Sequence, residues 1–174
     1  NYKKIHQFMD SKIELDLLLL PEMFHTGFTM NTGLSESMEQ SSGVDFLKNI
    51  SATFDCAIYT SLIFSEKGKS YNRGVFIEPC GKTTIYNKRK TFGLAGEDKV
   101  YTSGESQVIV EYKNWKINLQ ICYDLRFPEL VRNRLSESGA PAYDILLNVA
   151  NWPQKRIAHW DALLKARAIE NQSY

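Results

Sequence analysis

Residues 116–130 read KINLQICYDLRFPEL, and this segment is the most informative about the fold. Its first part predicts a β-strand that ends at Cys122, and Tyr123 and Asp124 follow in a sharp turn. Pro128 then begins a helix, because proline is tolerated in the first turn, where its missing N–H would have no partner. A strand that passes through a turn into a helix indicates a layered protein in which helices cover the faces of sheets.

The segments on either side continue this alternation of helices and strands. Apolar residues at helical spacing predict a first helix from about Lys3 to Ile13, and a second helix is expected within residues 36–53. A helix from about Gln154 would place Ile157, Trp160, Leu164 and Ala168 on one face. Strands are predicted at residues 16–20, 56–64, 72–79, 82–88, 107–112 and 143–151, with turn residues typical of antiparallel hairpins in the middle of the chain. We therefore expect an α+β (layered α/β) fold.

Composition excludes several classes of protein. The 174 residues carry 21 basic and 20 acidic side chains, so charge gives no reason to bind nucleic acid or an anionic membrane. The longest purely apolar run, Leu17 to Leu20, is far shorter than the roughly 20 residues that span a bilayer. Three scattered cysteines and isolated histidines predict no disulfide framework, no metal site and no cofactor. The odd cysteine count and the lack of a signal peptide favour the cytoplasm.

Reactive or charged residues lie at the ends of three predicted strands. These are Glu22, Lys88 and Cys122, and strand ends are where ligands and catalytic groups collect in open α/β sheets. Each residue alone has a simpler interpretation. Cys122 could be a small core residue, Glu22 a solvated carboxylate, and Lys88 part of a hydrated basic loop.

Together the three positions resemble a known family. The segments LPEMF, YNKRKTF and ICYDLRFPEL are similar, in order, to the three signatures of the nitrilase superfamily of carbon–nitrogen hydrolases, and AGEDKVYTSG and NVANWPQKRIAHWDALLKARAIEN extend the match. Within the superfamily, these segments resemble those of ω-amidase-like members most. The resemblance implies a four-layer αββα sandwich, with residues 1–174 as a single carbon–nitrogen hydrolase domain. Because members are longer, it also implies that terminal strands are missing at both ends, and it implies a homodimer or larger homo-oligomer.

The same resemblance implies a role for each reactive residue. Cys122 would be the nucleophile that forms a thioester, and Glu22 the general base. Lys88 would stabilise the oxyanion together with the N–H of Tyr123, and Glu97 would orient the lysine and the substrate nitrogen.

Substrate contacts are expected within the same motifs. Phe28, Trp152, Phe24 and Phe127 are candidate pocket walls, although ordinary core packing explains each equally well. Arg126 or Lys90 could hold a substrate carboxylate, or Arg126 could pair with Glu129.

The predicted activity is a thiol amidohydrolase that releases ammonia from a small-molecule amide, with an ω-amide of a 2-oxo acid as the expected substrate. An N-carbamoyl amidase, a nitrilase, an acyl-transferring enzyme, or a catalytically silent homologue that serves in binding or assembly remain alternatives.

Overall fold

The computed structural model describes residues 1–10 and 14–174, and in this part of the chain strands and helices form separate layers. The strands are β1 (Leu17–Leu19), β2 (Ala57–Glu66), β3 (Lys69–Ile77), β4 (Thr83–Asn87), β5 (Ile109–Tyr112), β6 (Trp115–Ile121) and β7 (Ile145–Val149). The helices are α1 (Tyr2–Met9), α2 (Ser42–Phe54), α3 (Pro128–Val131) and α4 (Ile157–Asn171).

The strands form two sheets. The first has the order β1-β2-β3-β4, in which β1 runs parallel to β2 and the next two pairs are antiparallel. Strands β1, β2 and β4 therefore share one direction, so their carboxyl ends lie at the same edge of the sheet. The second sheet has the order β5-β6-β7, and β6 runs parallel to β7.

Strand β2 shows how the layers are held together. Its even-numbered side chains, such as Ile58 and Leu62, pack with Leu47 and Ile50 of α2. Its odd-numbered residues Ala57 and Tyr59 face the second sheet and pack in a separate cluster with Ile117, Leu119 and Ile121 of β6. A strand that is buried on both faces must be apolar on both, which explains the near-continuous apolar sequence of residues 56–64. The predicted αββα layering is confirmed.

The predicted elements differ from the structure mainly at the helices. Helix α1 ends at Met9, and Ile13, the last residue of the predicted helix, lies outside the described residues. Helix α4 begins at Ile157, but that side chain stays exposed, and the most buried positions are the polar residues Arg167 and Asn171. Arg167 is buried because its Nε donates to the carbonyl oxygen of Leu125, which fixes α4 to the turn after β6.

None of the helices in the described part of the chain is both long enough and apolar enough to cross a bilayer.

Candidate active site

The sequence-predicted residues Glu22, Lys88 and Cys122 each follow a strand and come together in the structure. Glu22 lies just beyond β1, Lys88 directly follows β4, and Cys122 directly follows β6. Since β1 and β4 end at the same edge of the first sheet, the packing of the second sheet on the first brings Cys122 to that edge as well. Glu22 is fully buried, Lys88 is 1% exposed and Cys122 is 8% exposed.

Lys88 lies between two carboxylates. Its Nζ donates to Glu22 Oε1 at 2.8 Å and to both carboxylate oxygens of Glu97, at 2.8 and 3.0 Å. Burial alone would lower the pKa of Lys88, but the negative charges of Glu22 and Glu97 outweigh it and raise that pKa above its ordinary value. Lys88 is therefore a fixed cation at neutral pH. The Nζ atom also lies 5.7 Å from the centre of the Phe28 ring.

Two asparagines hold the carboxylates in place. Asn72 Nδ2, on β3, donates to Glu22 Oε1 at 2.8 Å and to Glu97 Oε1 at 3.0 Å. The backbone N–H of Asn151, just after β7, donates to Glu22 Oε2 at 3.0 Å. The orientation of Glu22 is thus set by groups from both sheets, because buried polar groups need partners.

Cys122 begins a short 3₁₀ turn, Cys122–Arg126, with its backbone in the left-handed region at φ +48°. A residue with a Cβ adopts this conformation only where the surrounding structure enforces it, and such residues cluster at functional sites. Burial raises the pKa of the Cys122 thiol, and the Glu22 carboxylate raises it further by its charge and by a hydrogen bond, while Lys88 opposes them. The resting thiol is therefore protonated, with a carboxylate placed to accept its proton.

Asp124 anchors the Cys122 turn to the segment that carries Lys88. One oxygen accepts from the N–H of Ile121 at 3.0 Å and from the hydroxyl of Tyr86 at 2.7 Å, and the other accepts from the N–H of Lys90 at 2.7 Å. The side chain is fully buried, and this burial raises the pKa of Asp124 to about 6 in spite of these hydrogen bonds. The turn that carries Cys122 and the segment that carries Lys88 are thus joined through one carboxylate.

A narrow cleft opens above the Cys122 thiol. Four predicted contact residues, Phe28, Tyr123, Arg126 and Trp152, line it together with Cys122. The guanidinium carbon of Arg126 lies 5.0 Å from the Trp152 ring, and its Nη2 donates to Nδ1 of His159 at 3.1 Å.

The alternative partner for Arg126 is not observed. Within the described residues Arg126 forms no ion pair, with Glu129 or with any other carboxylate.

Other sequence candidates lie outside the cleft. Phe24 is 4% exposed and belongs to the core beside the helices, so core packing explains it. Phe127 does not line the cleft, and Lys90 places its Nζ 4.8 Å from the centre of that ring.

Four residues that the sequence reading did not single out contribute to the site: Asn72, Asn151, Phe92 and Arg156. The available signal was weak. Asn72 is a polar residue within a strand that is otherwise largely apolar, and Asn151 ends the segment NVAN.

The described residues offer no obvious set of ligands for a metal ion. Within residues 1–10 and 14–174, no group of three or more histidine, cysteine, aspartate or glutamate side chains is arranged to hold a metal ion.

A family model described as carbon–nitrogen hydrolase matches residues 1–174, so the chain belongs to the carbon–nitrogen hydrolase family. Among its relatives are two proteins named omega-amidase YafV. The one from Yersinia enterocolitica is 38% identical over all of this chain and 65% of the relative, and the one from Escherichia coli K12 is 42% identical over 91% of this chain and 59% of the relative. A 2-oxoglutaramate amidase of Paenarthrobacter nicotinovorans is 33% identical over 98% of this chain and 61% of the relative.

Solved structures agree with this assignment. XC1258 from Xanthomonas campestris, described as a CN-hydrolase superfamily protein with an arsenic adduct in its active site, superposes with a TM-score of 0.91 at 35% identity. The match covers 99% of this chain and 66% of that protein. Yeast Nit3, at 24% identity, shares the fold with a TM-score of 0.81 over 99% of this chain and 65% of that protein. The chain thus spans about two thirds or less of the length of the proteins it matches.

Proposed function

We propose that this protein is a thiol amidohydrolase that releases ammonia from the ω-amide of a 2-oxo dicarboxylic acid, and that residues 1–174 form a single carbon–nitrogen hydrolase domain. The observation that carries the proposal is the convergence of the buried residues Glu22, Lys88 and Glu97 next to Cys122, which lines the cleft. We call this four-residue cluster the floor of the cleft. Support for the substrate comes from relatives named omega-amidase and 2-oxoglutaramate amidase at 33–42% identity.

The geometry gives each group a step in amide hydrolysis. Glu22 accepts the thiol proton of Cys122 while the sulfur attacks the amide carbon and the carbonyl electrons move to oxygen. Lys88 stabilises the negative oxygen, because its pKa is raised and it carries a fixed positive charge. Collapse of the intermediate breaks the C–N bond, and Glu22 returns the proton to the departing nitrogen, which leaves as ammonia.

The second half of the reaction regenerates the thiol. Water attacks the Cys122 thioester as Glu22 takes one of its protons, the C–S bond breaks, and the sulfur recovers a proton. The products are a carboxylic acid and ammonia, and no oxidant, reductant or cofactor enters the balance. Glu97 keeps Lys88 in place through two hydrogen bonds, so we assign it a positioning role.

The cleft walls are proposed to bind the rest of the substrate. Phe28, Tyr123 and Trp152 enclose the carbon chain, and Arg126 binds its carboxylate. A positive group is required there because the catalytic floor, with two carboxylates and one ammonium, would otherwise repel an acid.

The test is ammonia release by the full-length protein from a panel of compounds. The panel contains 2-oxoglutaramate, an N-carbamoyl amino acid and an aliphatic nitrile, each also incubated with the Cys122→Ala variant. We expect Cys122-dependent turnover with 2-oxoglutaramate far above the other two. Preferred turnover of the nitrile or of the N-carbamoyl compound assigns the protein to another branch of the family, and no turnover of any compound favours a silent homologue.

We further propose that the full-length protein acts in the cytoplasm as a homodimer or larger homo-oligomer. All three cysteines are free, and a thiol nucleophile requires a reducing compartment to stay so. Exposed apolar side chains on α4, Ile157 and Ile169, support assembly through this helix. Light scattering of the purified protein should give at least twice the monomer mass. A single monomeric species would contradict this assembly.

A further inference from the structure

The cleft contains a second arginine, Arg156, which lies within the matched segment NVANWPQKRIAHWDALLKARAIEN but which sequence analysis did not single out. We call the part of the cleft formed by Arg126 and Arg156 its mouth. Arg156 lines the same cleft as Cys122 and Arg126, and it follows the segment NWPQK just before α4. Its guanidinium carbon lies 5.2 Å from the centre of the Phe92 ring, and the residues that line the cleft include no aspartate or glutamate. Within the described part of the chain, Arg156 forms no ion pair with any carboxylate.

Trp152 connects the two arginines. Its ring face lies 5.0 Å from the guanidinium carbon of Arg126, and its indole N–H donates to the carbonyl oxygen of Arg156 at 2.8 Å. Phe92, which lies beside Arg156, in turn contacts Tyr123 with ring centres 5.0 Å apart. Both arginines are half-buried, lie over aromatic rings and line the same cleft.

Arg126 donates one hydrogen bond to His159, but neither arginine has a carboxylate to balance its charge within the described residues. Arginine always carries its charge and offers several N–H donors in a planar fork that matches carboxylate geometry. By contrast, the floor of the cleft satisfies its own charges through Glu22, Lys88 and Glu97. The missing negative partner at the mouth is thus expected to arrive with the substrate.

We propose that Arg156, together with Arg126, is the determinant that selects 2-oxo acid amides against the corresponding 2-amino acid amides. This inference rests on the proposed function. A 2-oxo acid presents a carboxylate and an adjacent ketone oxygen, so both of its polar groups accept hydrogen bonds from guanidinium N–H donors. An amino acid presents an ammonium group at the same carbon. That cation can donate but not accept, and two guanidinium charges in a half-buried site repel it.

The experiment compares three five-carbon amides on the full-length protein. The first is 2-oxoglutaramate. The second is glutamine, which carries an ammonium group in place of the ketone oxygen at carbon 2. The third is pentanamide, which has neither the carboxylate nor the ketone. Steady-state kinetics are measured for the wild type, Arg156→Gln and Arg156→Glu. The control is Lys155→Gln, which removes a neighbouring exposed cation that does not line the cleft.

For Arg156→Gln we expect kcat/KM on 2-oxoglutaramate to fall about 10- to 100-fold, chiefly through KM, because one charge-assisted hydrogen bond to the substrate is lost. Activity on pentanamide, which offers Arg156 no carboxylate or ketone, should fall much less than activity on 2-oxoglutaramate, whereas a general structural defect would lower both equally. The preference for 2-oxoglutaramate over glutamine should narrow in Arg156→Gln and narrow further in Arg156→Glu, whereas Lys155→Gln should leave it unchanged.

Two results would overturn the inference in different ways. In the first, the wild type prefers 2-oxoglutaramate, but Arg156→Gln either loses activity on all three amides equally or keeps the wild-type preference. This result contradicts the role of Arg156 and leaves the proposed substrate class standing. A wild type that prefers glutamine or pentanamide contradicts the proposed substrate class, and the role of Arg156 with it.

Discussion

The floor and the mouth of the cleft differ in whether their charged side chains have ion-pair partners. At the floor, Glu22, Lys88 and Glu97 satisfy one another at 2.8–3.0 Å and are almost completely buried. At the mouth, Arg126 and Arg156 lie against aromatic rings and form no ion pair within the described residues. The floor is preorganised before substrate arrives, as electrostatic stabilisation of a transition state requires. Under the proposed function, the floor carries out the chemistry and the arginines at the mouth bind the substrate.

The largest loss of activity is expected when the Cys122 sulfur is removed. Cys122→Ala should abolish ammonia release, because neither Glu22 nor Lys88 can replace a nucleophile that forms an acyl intermediate. Cys56→Ala and Cys80→Ala are the matched controls and should retain activity, since Cys56 packs in the core and Cys80 is exposed in a turn. Measured turnover of Cys122→Ala above the background rate would contradict the assignment of the nucleophile.

Removal of the central cation should disrupt the floor itself. Lys88→Met leaves the Glu22 and Glu97 carboxylates buried without a counter-charge, so the variant should lose activity and about 3–5 kcal/mol of unfolding free energy. Urea denaturation followed by circular dichroism measures the loss. An equally conservative change of a surface cation, Lys113→Met, should shift the midpoint little, because both that lysine and its partner Asp16 are exposed.

The raised pKa of Cys122 can be tested by alkylation. Burial and the Glu22 charge favour the neutral thiol, so iodoacetamide should react slowly with Cys122 at pH 7, and its rate should still rise where an ordinary thiol, with a pKa of about 8.5, has levelled off. Mass spectrometry of a Cys56→Ala/Cys80→Ala background follows the reaction. A rate that is already constant by pH 7 would show a resting thiolate instead.

A pH-dependent change in stability is expected from Asp124. Its folded pKa of about 6 lies above its ordinary value, so the folded state binds more protons than the unfolded state between about pH 4 and pH 6. The contribution of Asp124 to stability therefore falls as the pH rises through this window and is constant above it. The difference in unfolding free energy between the wild type and Asp124→Asn should shift in that direction, and a pH-independent difference would contradict it.

The smallest effect is expected at the mouth. Trp152→Phe keeps an aromatic wall but removes the indole N–H that donates to the carbonyl oxygen of Arg156. We expect KM for 2-oxoglutaramate to rise several-fold with kcat nearly unchanged, because about 1 kcal/mol of neutral hydrogen bonding is lost. A fall in kcat with an unchanged KM would place Trp152 in the chemistry and blur the division between floor and mouth.

The sequence alone predicted the layered fold. It also indicated three strand ends, at Glu22, Lys88 and Cys122, that come together in the structure. Apolar runs such as residues 56–64 show burial on both faces directly, and turn residues mark the hairpins. The order of strands within each sheet does not follow from such patterns, because it depends on packing between segments far apart in the chain. The buried polar face of α4 was missed for the same reason, since the partners of the buried Arg167 side chain, the Leu125 carbonyl and Glu170, are known only from the structure.

The candidate site shows the same limit. Glu22, Lys88 and Cys122 stood out through motifs, and their catalytic roles stay predictions until the variants are measured. Asn72 could not be found this way, because only the pairing of β2 with β3, in which it lies opposite Ile63, turns it towards both carboxylates. Arg156 was hidden because its neighbours in sequence, Lys155 and Gln154, are ordinary exposed polar residues.

The left-handed backbone of Cys122 sets a conflict between durability and reactivity in the evolution of this protein. A residue with a Cβ at φ +48° is less stable there than glycine by about 1–2 kcal/mol, so in Cys122→Gly the relief of backbone strain offsets the loss of packing by the buried thiol. Selection for thermal stability alone would therefore not preserve the proposed nucleophile. A library screened for heat resistance must be screened for ammonia release as well, because heat-resistant members can include variants that have lost Cys122.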